Sequence, residues 1–220
     1  MTDPTIASTP FLDFDNPQVA EFAHRSAGTG SDRERAVRLY YAVRDGIRYD
    51  PYAFRVSPDW LRASRTLLAG FGWCVPKSIL LASCCRAEGI PARLGFADVR
   101  NHLATDRLLR LMDTPDFLWH GYVGIYLDGR WVKATPSFNV EMCRRFGVKT
   151  LEFDGTQDSL LQPYDERNRL HMEYLRDRGL YNDLPYEEAA RDWRTGYARL
   201  IEAAETGEFS GRFDTDRMAR

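Results

Sequence analysis

Apolar positions follow helical spacing in the first third of the chain, alternate in the middle and return to helical spacing toward the end. A short helix is predicted over Val19–Arg25. Ser31 and Glu34 form a capping box that opens a second helix through Asp45, with Ala36, Val37, Leu39, Tyr40 and Val43 as its apolar stripe and Gly46 as its stop. Ile47–Asp50 reads as extended, Trp60–Ala69 as a helix broken by Gly70 and Gly72, and Ser78–Glu88 as an apolar helix closed by Gly89 and Pro91. Alternating segments follow at Arg93–Val99, His120–Leu127 and Arg130–Thr135, with a fourth at Thr150–Asp154. The insert Arg100–Phe117 predicts a helix over Asp106–Met112, and Asp165–Arg178 and Tyr186–Glu205 read as helices. Helices, then antiparallel strands, then helices make an α+β chain.

No linker or repeat divides the sequence, so a single domain over 1–220 is expected, with a core over about 32–154 and a helical extension over about 160–205. Thirty basic against thirty-two acidic residues give a net charge of −2, which provides no electrostatic basis for a nucleic-acid or anionic-membrane partner. No apolar stretch approaches the roughly 20 residues of a membrane span, and the first residues lack a signal-peptide pattern, so a cytoplasmic protein is expected. The four cysteines, Cys74, Cys84, Cys85 and Cys143, form no CxxC pair. No cofactor or metal is expected, and His102 fits no zinc spacing with Cys74 and His120. His24 and His171 are expected in helices, as surface or capping groups.

Pro76 is tolerated only in a first helical turn, so Cys74 stands at a helix N-terminus. There the macrodipole and free N–H groups favour a thiolate, and Lys77 one turn on adds to that expectation. Asp128-Gly129 predicts a type I′ turn that pairs Leu127 with Arg130 and Tyr126 with Trp131. Continued, that register puts His120, Tyr122, Thr135 and Ser137 on one face, with Thr135 diagonal to His120.

Gly72-Trp73-Cys74-x-x-Lys77, the Glu88-Gly89-Ile90-Pro91-Ala92-Arg93 helix end, Trp119-His120-Gly121-Tyr122-Val123 and Gly129-Arg130-Trp131-Val132 together resemble the transglutaminase-like superfamily. The likeness covers roughly residues 32–139. It implies a papain-like α+β fold whose Cys helix packs on a central antiparallel sheet. It also implies Cys74 as nucleophile and His120 as general base and later acid, with an oxyanion site that uses the Cys74 N–H. Where the family places an aspartate, this chain has Thr135, whose hydroxyl can orient an imidazole but cannot balance its charge. Asp154 and, more weakly, Asn139 are the other residues considered as the histidine's partner. Trp73 and Trp119 flank the pair as candidate pocket walls, and the insert Arg100–Phe117 is expected to act as a mobile lid.

The implied activity is acyl transfer through a thioester acyl-enzyme formed from an amide or thioester. The substrates it allows are a peptide, a protein side-chain amide or a small acyl compound. The missing aspartate motivates the alternative, an impaired domain of the same fold that serves as a binding or scaffold module.

Overall fold

The computed structural model describes residues 3–102, 104–161, 167, 171–206 and 213. Local signals start the N-terminal helices. The Gln18 N–H donates to Asn16 Oδ1 at the head of α1 (Pro17–Ala27), and the Ser31–Glu34 capping box opens α2 (Asp32–Gly46). Strand β1 (Arg48–Tyr49) pairs in parallel with β2 (Phe71–Gly72), and α3 (Ala63–Ala69) lies between them in sequence. The predicted Trp60–Ala69 helix divides into a 3₁₀ turn over Pro58–Leu61 and α3.

Helix α4 (Cys74–Ala87) is buried from Cys74 to Arg86 without a break. A helix apolar on every side has to be enclosed. Helices α1, α2 and α3 cover it on one side and the sheet on the other. The sheet order is β5-β4-β3-β6, all antiparallel, with β3 (Ala92–Asn101), β4 (Asp116–Leu127), β5 (Arg130–Ala134) and β6 (Met172–Tyr181). The Leu127↔Arg130 and Tyr126↔Trp131 pairs stand as the turn signal predicts, with Asp128 and Gly129 at φ 49° and 83°. Helix α5 (Asp106–Met112) matches its predicted span and is followed after the hairpin by α6 (Val140–Phe146).

Two expectations are corrected here. Segment 150–154 is not a strand; it runs as coil along α2, where Arg44 Nη1 donates to the Leu151 carbonyl and the Phe153 N–H donates to the Tyr41 hydroxyl. The C-terminal third is not all helical. Met172–Tyr181, expected within a helix from Asp165 to Arg178, is the edge strand β6, while 162–166 and 168–170 lie outside the described residues. This edge strand is exposed at every position from Glu173 to Asp177, and without a buried alternate face its charges at Glu173 and Arg176, three residues apart, mimic one side of a helix. The last predicted helix divides into α7 (Tyr186–Gly196) and α8 (Ala198–Thr206); α7 packs on β4 and α8 on α5.

Two buried cations tie α4 to its surroundings through carbonyls. Lys77 Nζ donates to the Arg44 carbonyl at 2.9 Å and to that of Ile47, closing the end of α2. Arg86 donates to the carbonyls of Ala7, Ala92 and Asn182, joining the end of α4 to the N-terminal segment, β3 and the turn after β6. Burial holds the Lys77 ammonium down at about 7. From there up to its ordinary value near 10.5, the unfolded chain keeps a proton that the folded chain has released, so Lys77 makes stability rise with pH in that window. The urea-unfolding free energy of wild type minus that of Lys77→Met should therefore climb between pH 7 and 8.5, with a limiting slope of about 1.4 kcal/mol per pH unit. A difference flat with pH would refute the buried, proton-shedding lysine.

Candidate active site

Cys74 is the first residue of α4, one turn before the helix commits its N–H groups to carbonyls. It is almost fully buried, and desolvation pushes its thiol up to about 11 although the N–H groups of Gly121, Val75 and Cys74 itself pull the other way. The sequence expectation of a lowered thiol is thus reversed. Lys77 does not contribute, because its chain runs to the end of α2 rather than toward the sulfur. Cys143 is also pushed up to about 11 and Cys85 to about 12, so acidity does not single out Cys74.

The strand β4 meets this turn at Gly121. A methyl group there would lie 3.0 Å from the Val75 Cα, 3.2 Å from Ser78 Oγ and 3.3 Å from the Cys74 carbonyl oxygen. Any side chain there would push the strand and the helix start apart by a few tenths of an ångström. Its neighbour His120 then faces the other side of the sheet, where a small cavity is lined by His120, Thr135, Ser137, Lys149, His171 and Met172 among others. His120 Nε2, Thr135 Oγ1 and Ser137 Oγ are all buried and find no hydrogen-bond partner among the described residues. Burial alone draws the imidazole down to about 4. Among the described residues no hydrogen bond joins Cys74 to His120; Gly121 is the link between them.

A backbone irregularity precedes His120. The β3–β4 ladder slips between Ala97↔His120 and Val99↔Phe117, and Trp119 adopts φ 59°, which a bulky side chain rarely takes. Polar contacts on every side hold it there. Asp98 Oδ1 accepts the Trp119 N–H at 3.0 Å and Arg178 Nε at 2.6 Å. Asp192 Oδ2 accepts Trp119 Nε1 at 2.9 Å and Arg178 Nη1 at 2.8 Å. The Arg178 guanidinium lies 4.3 Å from the centre of the indole ring. Sequence reasoning missed this clamp, because its members come from four elements and only Trp119 belonged to a motif.

The other expected residues fall elsewhere. Asp154 is exposed, and its carboxylate accepts the Thr156 N–H at 2.7 Å as a turn residue, so it is not brought to His120. Asn139 Oδ1 accepts the Tyr49 N–H at 3.1 Å. His102 pairs with Glu173 at 3.2 Å on the surface, and His24, the eighth residue of α1, stands 3.5 Å from Glu88. His171 is not helical; it lines the His120 cavity just ahead of β6. Trp73 does wall a pocket at Cys74, whereas Trp119 packs into the core against Phe96. The predicted lid helix lies on that pocket, with Leu108 and Met112 buried in its wall.

The model of the transglutaminase-like superfamily matches residues 20–136, more than half of the chain. The chain belongs to the transglutaminase-like superfamily. Its fold resembles a "putative cysteine protease" from Cytophaga hutchinsonii at TM-score 0.47 and 14% identity, over 81% of this chain and 53% of the other. A "putative protease" from Parabacteroides distasonis matches at TM-score 0.40 and 15% identity, over 58% of this chain. The chain thus spans about half the length of the first and 26% of the second. No curated protein matches. The superfamily comprises cysteine-dependent hydrolases and transferases, and no helix among the described residues is long and apolar enough to cross a membrane.

In this superfamily member the contact at Gly121 is the most exacting feature near the cysteine. Gly121→Ala should cost about 1–3 kcal/mol of stability, as overpacking does, and should show as a lowered urea midpoint. An unchanged midpoint would mean that β4 and α4 are not in contact at that point.

Proposed function

We propose that this protein catalyses acyl transfer through a thioester on Cys74, with His120 as general base. The observation that supports the reading is the meeting of the α4 N-terminus with Gly121, the residue that follows the buried His120, whose Nε2 opens on a cavity shared with the Thr135 and Ser137 hydroxyls. With the thiol held up and the imidazole held down, the resting pair is neutral, so His120 removes the thiol proton as the sulfur attacks. The C–S bond forms and the bond from carbonyl carbon to leaving nitrogen or sulfur breaks. The leaving group takes the proton from the imidazolium. Water or an amine then attacks the thioester and releases Cys74. The Cys74 N–H, at a helix start, is the oxyanion donor in this reading.

Thr135, to which we add Ser137, lines the cavity into which His120 opens; neither hydroxyl bonds Nε2 in the resting site, and in this reading one of them accepts from Nε2–H to orient the imidazole as the base acts. Asp154 has no part in it. The donors we favour are peptides, protein side-chain amides or small acyl compounds. Four free thiols suit a reducing compartment, so we assign the protein to the cytoplasm. The threonine in place of an aspartate favours one second reading, a member that binds acyl groups without turnover.

Intact-protein mass spectrometry with activated acyl esters tests the enzyme reading. Wild type should gain a hydroxylamine-labile acyl mass that Cys74→Ala lacks and His120→Asn forms far more slowly; equal labelling of all three would sink the assignment. The pH profile of kcat/KM should rise through an acid limb near 4 rather than near 6.5, because the base is a buried, uncharged histidine. Thr135→Val should cost less than the ~10⁴-fold seen when a triad aspartate is altered. Thr135→Asp should move the acid limb upward, since a carboxylate favours the imidazolium. An unmoved limb would separate Thr135 from His120.

A further inference from the structure

Cys74 and His120 open on different cavities, and the two differ in chemistry. The His120 side offers an imidazole nitrogen, two hydroxyls and Lys149. The Cys74 side is walled by aromatic and aliphatic groups, among them Tyr49, Phe54, Trp73, Leu108, Met112 and Leu200, and no charged side chain lines it. The Tyr197 hydroxyl, which also borders it, is already engaged, donating to the Asp116 carbonyl at 2.9 Å and accepting the Leu118 N–H. The sulfur therefore stands at the wall of an apolar chamber.

We infer that this chamber is the acyl pocket and that the enzyme takes apolar acyl groups, aliphatic or aromatic, rather than glutaminyl or anionic ones. The inference rests on the acyl-enzyme reading above. Its first support is directional. His120 must hand its proton to the leaving group, so the leaving group lies toward the His120 cavity and the acyl chain is left with the other side of the sulfur. The second support is solvation. A carboxamide or carboxylate in this chamber would give up water for walls that offer, among the described residues, no charged side chain and few polar groups (the Tyr49 and Tyr197 hydroxyls and the Trp73 indole N–H), whereas a hydrocarbon chain gains from the same exchange. The third is the cover. The chamber has about 30 Å³ of room, enough for water but not for an acyl chain, so the chain is admitted as Leu108 and Met112 of α5 and Leu200 of α8 move outward. These are apolar side chains that pack on each other when the pocket is empty and on a hydrocarbon when it is full.

The test uses the full chain and two independent readouts. The first is the rate of acyl-mass gain at Cys74 from the p-nitrophenyl esters of acetate, butyrate, hexanoate and succinate. Each added methylene should raise kcat/KM about fourfold, and succinyl should fall at least tenfold below butyryl. The second is binding of hexanamide and of succinamate to Cys74→Ala, followed by the Met112 methyl resonance in NMR. Hexanamide should shift it and succinamate should not. A chain-length rise together with a hexanamide shift supports the inference. A flat or inverted series, or a preference for succinyl, overturns it. If no ester acylates Cys74 but hexanamide still moves Met112, the acyl-transfer reading fails and an apolar ligand pocket remains. If neither readout responds, both fall.

Discussion

The approach of β4 to the first turn of α4 governs the region around Cys74, and it is set by steric exclusion at one residue. With a side chain at 121, either the strand or the helix start would have to give by a few tenths of an ångström, because two of the three nearest atoms, the Val75 Cα and the Cys74 carbonyl oxygen, are backbone and cannot rotate away as Ser78 Oγ can. The contact closes the end of a helix that is buried along thirteen residues, so movement there is transmitted along α4 rather than absorbed locally. The polar anchors at Lys77 and Arg86 serve the same end. Each satisfies carbonyls at the terminus of a neighbouring element and leaves α4 one seat between the helices and the sheet.

Burial on this scale decides the electrostatics as well. A helix N-terminus is worth roughly 0.3–1 kcal/mol to an anion at an exposed site. Raising a thiol from 9.0 to about 11 corresponds to about 3 kcal/mol against the thiolate. Desolvation wins, and the same balance draws His120 downward. A resting ion pair is therefore disfavoured, and in the proposed reaction the proton leaves the thiol only as the sulfur attacks. This ordering protects a thiol that would otherwise be open to oxidation, since the thiolate is the reactive form.

The features legible in the sequence were those whose cause is local. Pro76 within the first helical turn placed the start of α4, the Ser31–Glu34 box placed α2, and Asp128-Gly129 fixed the hairpin and its register. The span of α5 was readable from Thr105, which caps it, to Met112. The features that escaped depend on partners far along the chain. Strand β6 pairs with β3 about eighty residues earlier, and its charged outer face looks helical when read alone. Lys77 looked like a neighbour of Cys74 because spacing gives adjacency but not the path of a long side chain. The clamp on Trp119 joins Asp98, Arg178 and Asp192, which no motif links. The thiol's acidity was misjudged for a related reason: a helix terminus is visible in sequence, but the degree of its burial is not.

Strand alternation then gives the site its two-sided character. Gly121 faces α4, so His120 and Tyr122 face the second, smaller core with Ala97, Val99 and Met172. In the proposed reaction a cysteine on the α4 side and a histidine on the far side would have to serve one carbonyl, and the residue just before that histidine is where the β3–β4 ladder is broken. The bulge at Trp119 thus sets the backbone that leads into His120, and a partly buried ion-pair cluster is a suitable means of keeping it. Such clusters add little net stability, but they penalise severely any arrangement that leaves one of their charges unpaired. Here the penalised arrangement is the relaxed strand, and the one enforced is the left-handed backbone at Trp119, immediately before His120.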